Sequence, residues 1–419
     1  MQKLGVARRQ AVVHVRVPMA GRDPSADHRA ATPLELLFDL AFVIAFSVAG
    51  EQFAHALAAA HVGWGLAAFV VAVFAIVLAW VNHTWFASAF DTDDWLYRLA
   101  TMVQMSGVVV LALGLPPMFE TFRAGHAVDN RVMVLGYLIM RVAMVSQWLR
   151  VARESPGTRR AALVFAGSVA AAQVGWVLLA VWLPRPPGFV TGAALLAVVE
   201  LVGPAVAFRM GSGLPWHPHH VAERYGLLTI ITLGEVLLGT TAAVGAVVGS
   251  RGWSLAAALV LGAGVVMTFG LWWLYFFVPF GDLLAAHRNR AVAWGYGHVV
   301  IFGAIAAVGS GLHVAAYSIE GHVEISEVGV LATTAVPMLA FFIGLAVLTT
   351  GLAGTEVRIL RLTTVEVAAV AVAGALAAAG VGLPICLAVL ALAPAVTVLD
   401  VELFGLGLPD RTRDGAPSD

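Results

Sequence analysis

The sequence predicts an all-α polytopic membrane protein of about twelve transmembrane helices, built as two parallel six-helix repeats. Three observations predict it. Of the 419 residues, 60% are hydrophobic and only 12% are charged, against roughly a quarter charged in a soluble domain, and mean hydropathy is +0.89. Apolar stretches of about 20 residues, the length that crosses a hydrocarbon core as a helix, recur between short polar breaks. Lys and Arg fall unevenly on alternate breaks, as they do in a chain that threads a bilayer repeatedly. The balance of 24 basic and 25 acidic residues leaves no basic field, which argues against a nucleic-acid partner. The bilayer itself is the expected partner, and self-association is compatible with the pattern. Cys386, the single cysteine, can form no internal disulfide.

Taken in order, residues 1–33 carry Lys3, Arg8, Arg9, Arg16, Arg22 and Arg29 without an apolar run. They read as a basic, mobile cytoplasmic tail with no cleavable signal peptide. The first predicted span, 34–58, is opened by Thr32-Pro33-Leu34-Glu35, a capping box with proline at the first helical position. Spans at 64–88 and 97–116 flank the acidic break Asp91, Asp93, Asp94. That break lacks the glycine turn and closing glutamate of a calcium loop and reads as a helix terminus. A fourth span, 129–150, carries Arg141, and two Ala/Val/Leu-rich spans at 161–183 and 188–208 complete a first repeat, 34–208. The second repeat, 209–406, has spans at 220–246, 254–279, 291–316, 328–351, 361–380 and 382–406. The last two are so uniformly apolar that one merged or re-entrant segment is an alternative. A polar C-terminal tail occupies 407–419.

With the N-terminus in the cytoplasm, nineteen of the 24 Lys and Arg fall on that side and four on the other, with Arg141 inside a helix. The asymmetry places both termini in the cytoplasm. The repeat rests on recurring landmarks: Glu35 and Glu223 open long apolar runs, and Trp85-Phe86 with Phe90-Asp91 parallels Tyr275-Phe276 with Phe280-Gly281-Asp282. Gly107 and Gly303 keep the same register.

Ionisable groups at membrane depth are costly, and each is a candidate for function. Glu35 and Asp39 share one helix face, four residues apart. Capping accounts for Glu35; Asp39, a turn deeper, is either a buried polar contact or part of a pathway. Asn82 and His83, two turns inside the second span, would find Asp39 and Glu35 as nearest partners. They serve either as interhelical glue or as a relay. Arg141, the most expensive residue, requires a carboxylate, for which Glu235 and Glu200 are the candidates; the pair is structural or an electrostatic gate. Glu235 lies 12 residues past Glu223, roughly 18 Å deeper along its helix, on a polar strip with Thr229 and Thr232 that should face the bundle interior. At the seventh-span entrance, His219 and Glu223, and likewise His220 and Arg224, are i,i+4 pairs. His219, His220 and Glu223 form at best an incomplete metal set without the HExxH order. A hydrogen-bonded helix start and a pH-sensing imidazole are the other readings. Tyr275 and His298 are further polar groups within apolar spans, while His313 stands at the opposite end of its span from His298. No Walker A loop, Rossmann glycine pattern or nucleophile elbow occurs in a strand–helix context, so neither an ATP-driven pump nor a soluble-type catalytic domain is expected. No cofactor is implied.

Three of these blocks resemble a known family. Glu35-Leu36-Leu37-Phe38-Asp39-Leu40-Ala41-Phe42-Val43, the stretch Asn82 to Asp94, and His220-Val221-Ala222-Glu223-Arg224-Tyr225-Gly226 with Leu233-Gly234-Glu235 are similar to motifs of the bacterial low-temperature-requirement A (LtrA) proteins. The resemblance covers about 30–350. It implies a multi-pass inner-membrane protein associated with growth at low temperature, and it carries with it no substrate or catalytic residue. A more distant similarity, through Phe38-Asp39 and Trp80-Val81-Asn82-His83, is to the endosomal–lysosomal potassium channels, which also use six-helix repeats. The sequence departs from that pattern in Glu35, where a basic residue is expected, and in lacking a serine between Phe38 and Asp39.

The leading expectation is a pathway for a small ion, proton or solute lined or gated by Asp39, Asn82, His83, Arg141, Glu223 and Glu235. A membrane enzyme or lipid-handling protein using His219, His220 and Glu223 is one alternative, and a non-transporting sensor or scaffold is another. A continuous polar cavity between the first and seventh spans favours the pathway, whereas a dry, packed centre favours the scaffold.

Overall fold

The computed structural model describes residues 16–24, 29–210, 214–353 and 357–405, and among them every regular element is helical. The first half contains α1 (Pro33–Ala58), α2 (Val62–Phe90), α3 (Trp95–Leu113), α4 (Leu115–Arg123), α5 (Arg131–Glu154), α6 (Arg159–Trp182) and α7 (Pro186–Phe208). The second contains α8 (Pro218–Arg251), α9 (Leu255–Phe277), α10 (Phe280–Ala286), α11 (Ala291–Ile319), α12 (Glu327–Ala353), α13 (Val357–Ala378) and α14 (Leu383–Phe404). Among the described residues, eleven helical segments are long and apolar enough to cross a membrane. Helix α13, 22 residues long, is a further apolar helix, in keeping with the expected count of about twelve. The chain is a multi-pass helical membrane protein, because only helices and closed barrels satisfy their backbone groups inside lipid.

The ambiguous stretch 361–406 resolves into two helices. Gly380 takes φ +79°, and the N–H groups of Gly380 and Val381 return to Ala377 O and Leu376 O, closing the end of α13 in a left-handed turn. The third predicted span bends at Gly114, where a Cβ would lie 2.0 Å from Met133 N. Pro116 and Pro117 then open α4, which carries the chain on to Arg123. The N-terminal segment departs from a loose tail over its described part. Met19 is fully buried, Arg16 donates to Glu154 Oε1 at 2.7 Å, and Arg22 N donates to Ala89 O at 2.9 Å. Arg29 donates to Ala87 O at 2.8 Å and also to Ser88 O. These carbonyls belong to the last turn of α2, which attracts cations by its dipole. Residues 1–15, 25–28 and the tail 407–419 lie outside the described residues.

At the centre α1 packs on α2, α8 and α11; around them α3 packs on α5, α11 on α12, and α14 on α9. Close approach of α8 and α11 requires Gly239 and Gly309: a Cβ on the first would lie 2.4 Å from Gly309 O, and one on the second 2.5 Å from Glu235 O. On α1 the inward stripe Phe38, Phe42 and Phe46 is buried, while Leu36, Leu37 and Leu40 are exposed on the opposite face. Such an apolar outer face belongs against lipid rather than water.

Candidate functional site

The start of α1 is organised by its own capping box: Thr32 Oγ1 accepts from Glu35 N at 3.2 Å, and Glu35 Oε2 accepts from Thr32 N at 2.7 Å. The same carboxylate also serves α8. Glu35 Oε1 lies 2.9 Å from Arg224 Nη1 and 3.2 Å from His220 Nε2. One turn deeper, Asp39 accepts from Arg224 Nε at 3.1 Å, from Arg224 Nη2, and from Trp80 Nε1 at 2.6 Å. Glu35, Asp39, His220 and Arg224 are all buried, so two carboxylates on α1 clamp one guanidinium on α8 in a low-dielectric setting. Such charges persist only when paired and hydrogen-bonded.

The surrounding membrane edge is acidic and basic in alternation. Arg29 reaches within 4.0 Å of Glu35 and 3.8 Å of Asp91. Burial, followed by the nearby Glu35 charge, pushes the Asp91 carboxyl up to about 6. Asp94 behaves oppositely. Burial raises it, but Arg150 together with the N–H groups of Val17 and Tyr97 prevails and holds it at about 2. It caps α3, as the reading of Asp91, Asp93 and Asp94 as a helix boundary anticipates.

Arg141 finds Glu200, not Glu235. Its Nη2 donates to Glu200 Oε2 at 2.8 Å and to Tyr137 Oη, and Trp176 Nε1 donates to the other Glu200 oxygen at 2.9 Å. Asn82, with its amide oxygen turned to the guanidinium, accepts from Arg141 Nη2 at 3.2 Å. The expected Asn82 and His83 contacts with Asp39 and Glu35 are therefore corrected: His83 stacks on Phe38, ring centroids 3.8 Å apart. Adjacent residues of a helix point about 100° apart, so one faces α5 and the other α1.

Glu235 lies midway along α8, 5% exposed, and accepts from Ser47 Oγ. Among the described residues no cation pairs with it. Ser310 Oγ donates to Gly50 O at 2.9 Å, and a Cβ at Gly50 would sit 3.3 Å from that hydroxyl and 3.8 Å from Glu235 Oε2. Three helices, α1, α8 and α11, thus bring one carboxyl, two hydroxyls and backbone carbonyls to a single place. Thr229 and Thr232, on the same strip, are fully buried. Between this place and the Asp39–Arg224 pair, the intervening turns are filled by Phe42, Phe46 and Leu228, at most 1% exposed. Among the described residues, these buried apolar side chains separate the two polar clusters along the seam.

Tyr275 and His298 meet. His298 Nδ1 donates to Trp294 O at 2.8 Å, which leaves Nε2 to accept from Tyr275 Oη at 3.1 Å. His219, His220 and Glu223 do not meet. His219 is exposed with Nε2 3.7 Å from Asp282, Glu223 is exposed and accepts from Ala31 N at 3.2 Å, and only His220 points inward. Among the described residues no group of three or more His, Cys, Asp or Glu is placed to hold a metal.

Trp80, Tyr137, Trp176, Ser47 and Ser310 had no assigned role from sequence. Tyr137 stands i−4 from Arg141, a spacing that signals contact on one helix; the others reach across helices and leave no local signature.

The bacterial low temperature requirement A (LtrA) family matches residues 30–399, extending the resemblance through α13 and nearly to the end of α14. An uncharacterized protein of Rhizobium meliloti (strain 1021) is 27% identical over 301 residues, covering 68% of this chain and 69% of its own. No solved structure matches the chain. The matched region contains both buried ion-pair networks and the Glu235 carboxyl of α8, and over that length the chain belongs to the LtrA family.

Proposed function

We propose that this LtrA-family protein conducts a proton or small cation through the seam of α1, α8 and α11, with Glu235 as the binding group. One observation carries the reading: a carboxyl at mid-helix, 5% exposed, that shares its surroundings with hydroxyls and carbonyls instead of a basic side chain. A charge so placed is expensive in lipid and is retained where an ion or proton visits it. In this arrangement Glu35, Asp39, His220 and Arg224 form the anchoring network at the α1 and α8 entrance. Phe42, Phe46 and Leu228 form a closed constriction of the kind that gates by excluding water.

The inner bacterial membrane, with both termini cytoplasmic, is the proposed setting, supported by the asymmetry of Lys and Arg between alternate loops. A six-plus-six repeat is supported by the recurrence of neighbours, α3 on α5 on α6 on α7 and α11 on α12 on α13 on α14. A role in growth at low temperature is part of this reading, supported by the family's description as low temperature requirement A proteins.

The test is flux into liposomes holding the purified chain. Proton or alkali-cation uptake should fall at least tenfold in Glu235→Gln protein that retains its thermal midpoint. The packed α1/α8 seam favours a second reading, a non-transporting scaffold. That reading gains if no proton or cation crosses in a broad panel and Glu235→Gln only alters stability.

A further inference from the structure

We propose that α5 and α6 form a separate lateral site for a wholly lipophilic molecule with a neutral carbonyl, of the quinone class, entered from within the bilayer. A cleft of about 330 Å³ lies between these helices, with Leu138, Val145 and Val177 among its walls. Val142 and Val174 at its rim are each 60% exposed, so the opening faces lipid. Arg141 and Gln173 are the polar residues of its otherwise apolar wall, their unpartnered atoms lying just beneath the surface. Gln173 is 5% exposed, yet neither its Nε2 nor its Oε1 meets a hydrogen-bond partner, and Arg141 Nε is likewise unpartnered.

Water would satisfy such atoms at a soluble surface. In hydrocarbon an unpaired amide is costly, so a polar atom brought in by a ligand is the natural counterpart. Depth selects the ligand. Arg141 and Gln173 stand near the middle of α5 and α6, about 13 Å or more from either helix end, where a phospholipid headgroup held at the interface does not reach. Charge selects it further. Arg141 is already balanced by Glu200 at 2.8 Å, so an anionic head would compete with an existing pair, whereas a neutral carbonyl accepts from Gln173 Nε2, turned into the cleft about its own side-chain torsions, without displacing it. Gln173 Oε1 remains to accept from a hydroxyl, as the reduced form of such a molecule presents. The volume falls in the range of small-molecule sites. Because this site lies on other helices, it stands or falls independently of the α1/α8/α11 pathway.

Decylubiquinone serves as the probe, titrated into the full chain in nanodiscs while tryptophan fluorescence is read; Trp176 lies one turn from Gln173. Saturable quenching is expected from the wild type. Gln173→Leu should weaken it at least tenfold while leaving the thermal midpoint unchanged or higher, since it removes two unpartnered atoms; Gln173→Met provides the same loss with a different shape. Ala170→Phe, at an exposed position on the cleft, should abolish saturation by filling the space. Decylbenzene, which lacks the carbonyl, should not compete. The proposal is overturned by wild-type affinity in both Gln173 variants, by equal competition from decylbenzene, which makes the cleft an acyl-chain groove only, or by quenching that never saturates.

Discussion

Arg141 and Glu200 provide a direct measure of what a buried ion pair is worth in this bundle. Both side chains are 3% exposed and 2.8 Å apart, and removing one partner of such a pair costs about 3–5 kcal/mol by stranding the other charge. The two single losses should differ. Without Arg141, Glu200 still accepts from Trp176 and Tyr137, and a carboxyl, unlike a guanidinium, has a neutral form. Without Glu200, Arg141 keeps Tyr137 and Asn82 but retains its charge under all working conditions. Glu200→Met should therefore cost about 4 kcal/mol and Arg141→Met about 2–3 kcal/mol. The double variant removes both charges, leaves the Tyr137 and Trp176 donors short of an acceptor and the Asn82 oxygen short of a donor, and should cost no more than the worse single. A coupling of at least about 2 kcal/mol follows. Reversible unfolding in mixed micelles, titrated with denaturing detergent, gives all three values. Additive costs within about 0.5 kcal/mol, or a larger loss for Arg141→Met than for Glu200→Met, would refute the pairing and the asymmetry.

Further outcomes follow from other parts of the bundle. Trp80→Phe removes the 2.6 Å donor to Asp39 and should lower stability by about 1.5–3 kcal/mol, the worth of a hydrogen bond to a charged group; an unchanged unfolding midpoint contradicts it. Gly309→Ala places a Cβ 2.5 Å from Glu235 O, and the forced separation of α8 and α11 should cost at least about 1–3 kcal/mol, read by thermal unfolding. Asp91 titrates near 6 in the folded chain against 3.8 unperturbed. Its stabilising contribution is fully present below about 3.8 and is lost as pH rises through 6. Asp91→Asn, which mimics the protonated form, should then stabilise the protein at pH 7.5 by at most about 3 kcal/mol and little at pH 4. A stability difference independent of pH across that window excludes Asp91 as the titrating group.

Much of the candidate site was legible before any coordinates. Glu35, Asp39, Arg141, Arg224 and Glu235 stand out because few charged residues occur in such an apolar chain, and the structure buries every one of them. Their partners were harder to read. Arg141 had two candidate carboxylates, and the choice of Glu200 depends on α7 lying beside α5 and α6 with its inner face turned to them. Asn82 was assigned to α1 and belongs with α5, because the second helix is buried on nearly all sides over this stretch and offers no polar outer face to orient it. The His219, His220 and Glu223 set looked convergent by i,i+4 spacing, yet only His220 lies on the inward face. The basic N-terminal segment showed no apolar pattern because it docks through arginines on helix-end carbonyls, an interaction without periodicity.

Hydropathy by itself determined the class of this protein, since in lipid a backbone must pair with itself and a long apolar run has helix as its solution. Capping chemistry at Thr32 and Pro33 marked where the first helix begins, and scarcity of charge marked which side chains must find partners inside the bundle. Only the tertiary structure decided which helix faces which. That choice turns on helix rotation and on close contacts such as Gly239 against Gly309, where backbones a few ångströms apart determine which side chains meet. Through that choice Arg224 became a partner of two carboxylates, Arg141 joined Glu200, and Glu235 was left facing hydroxyls and carbonyls at the centre of the bundle.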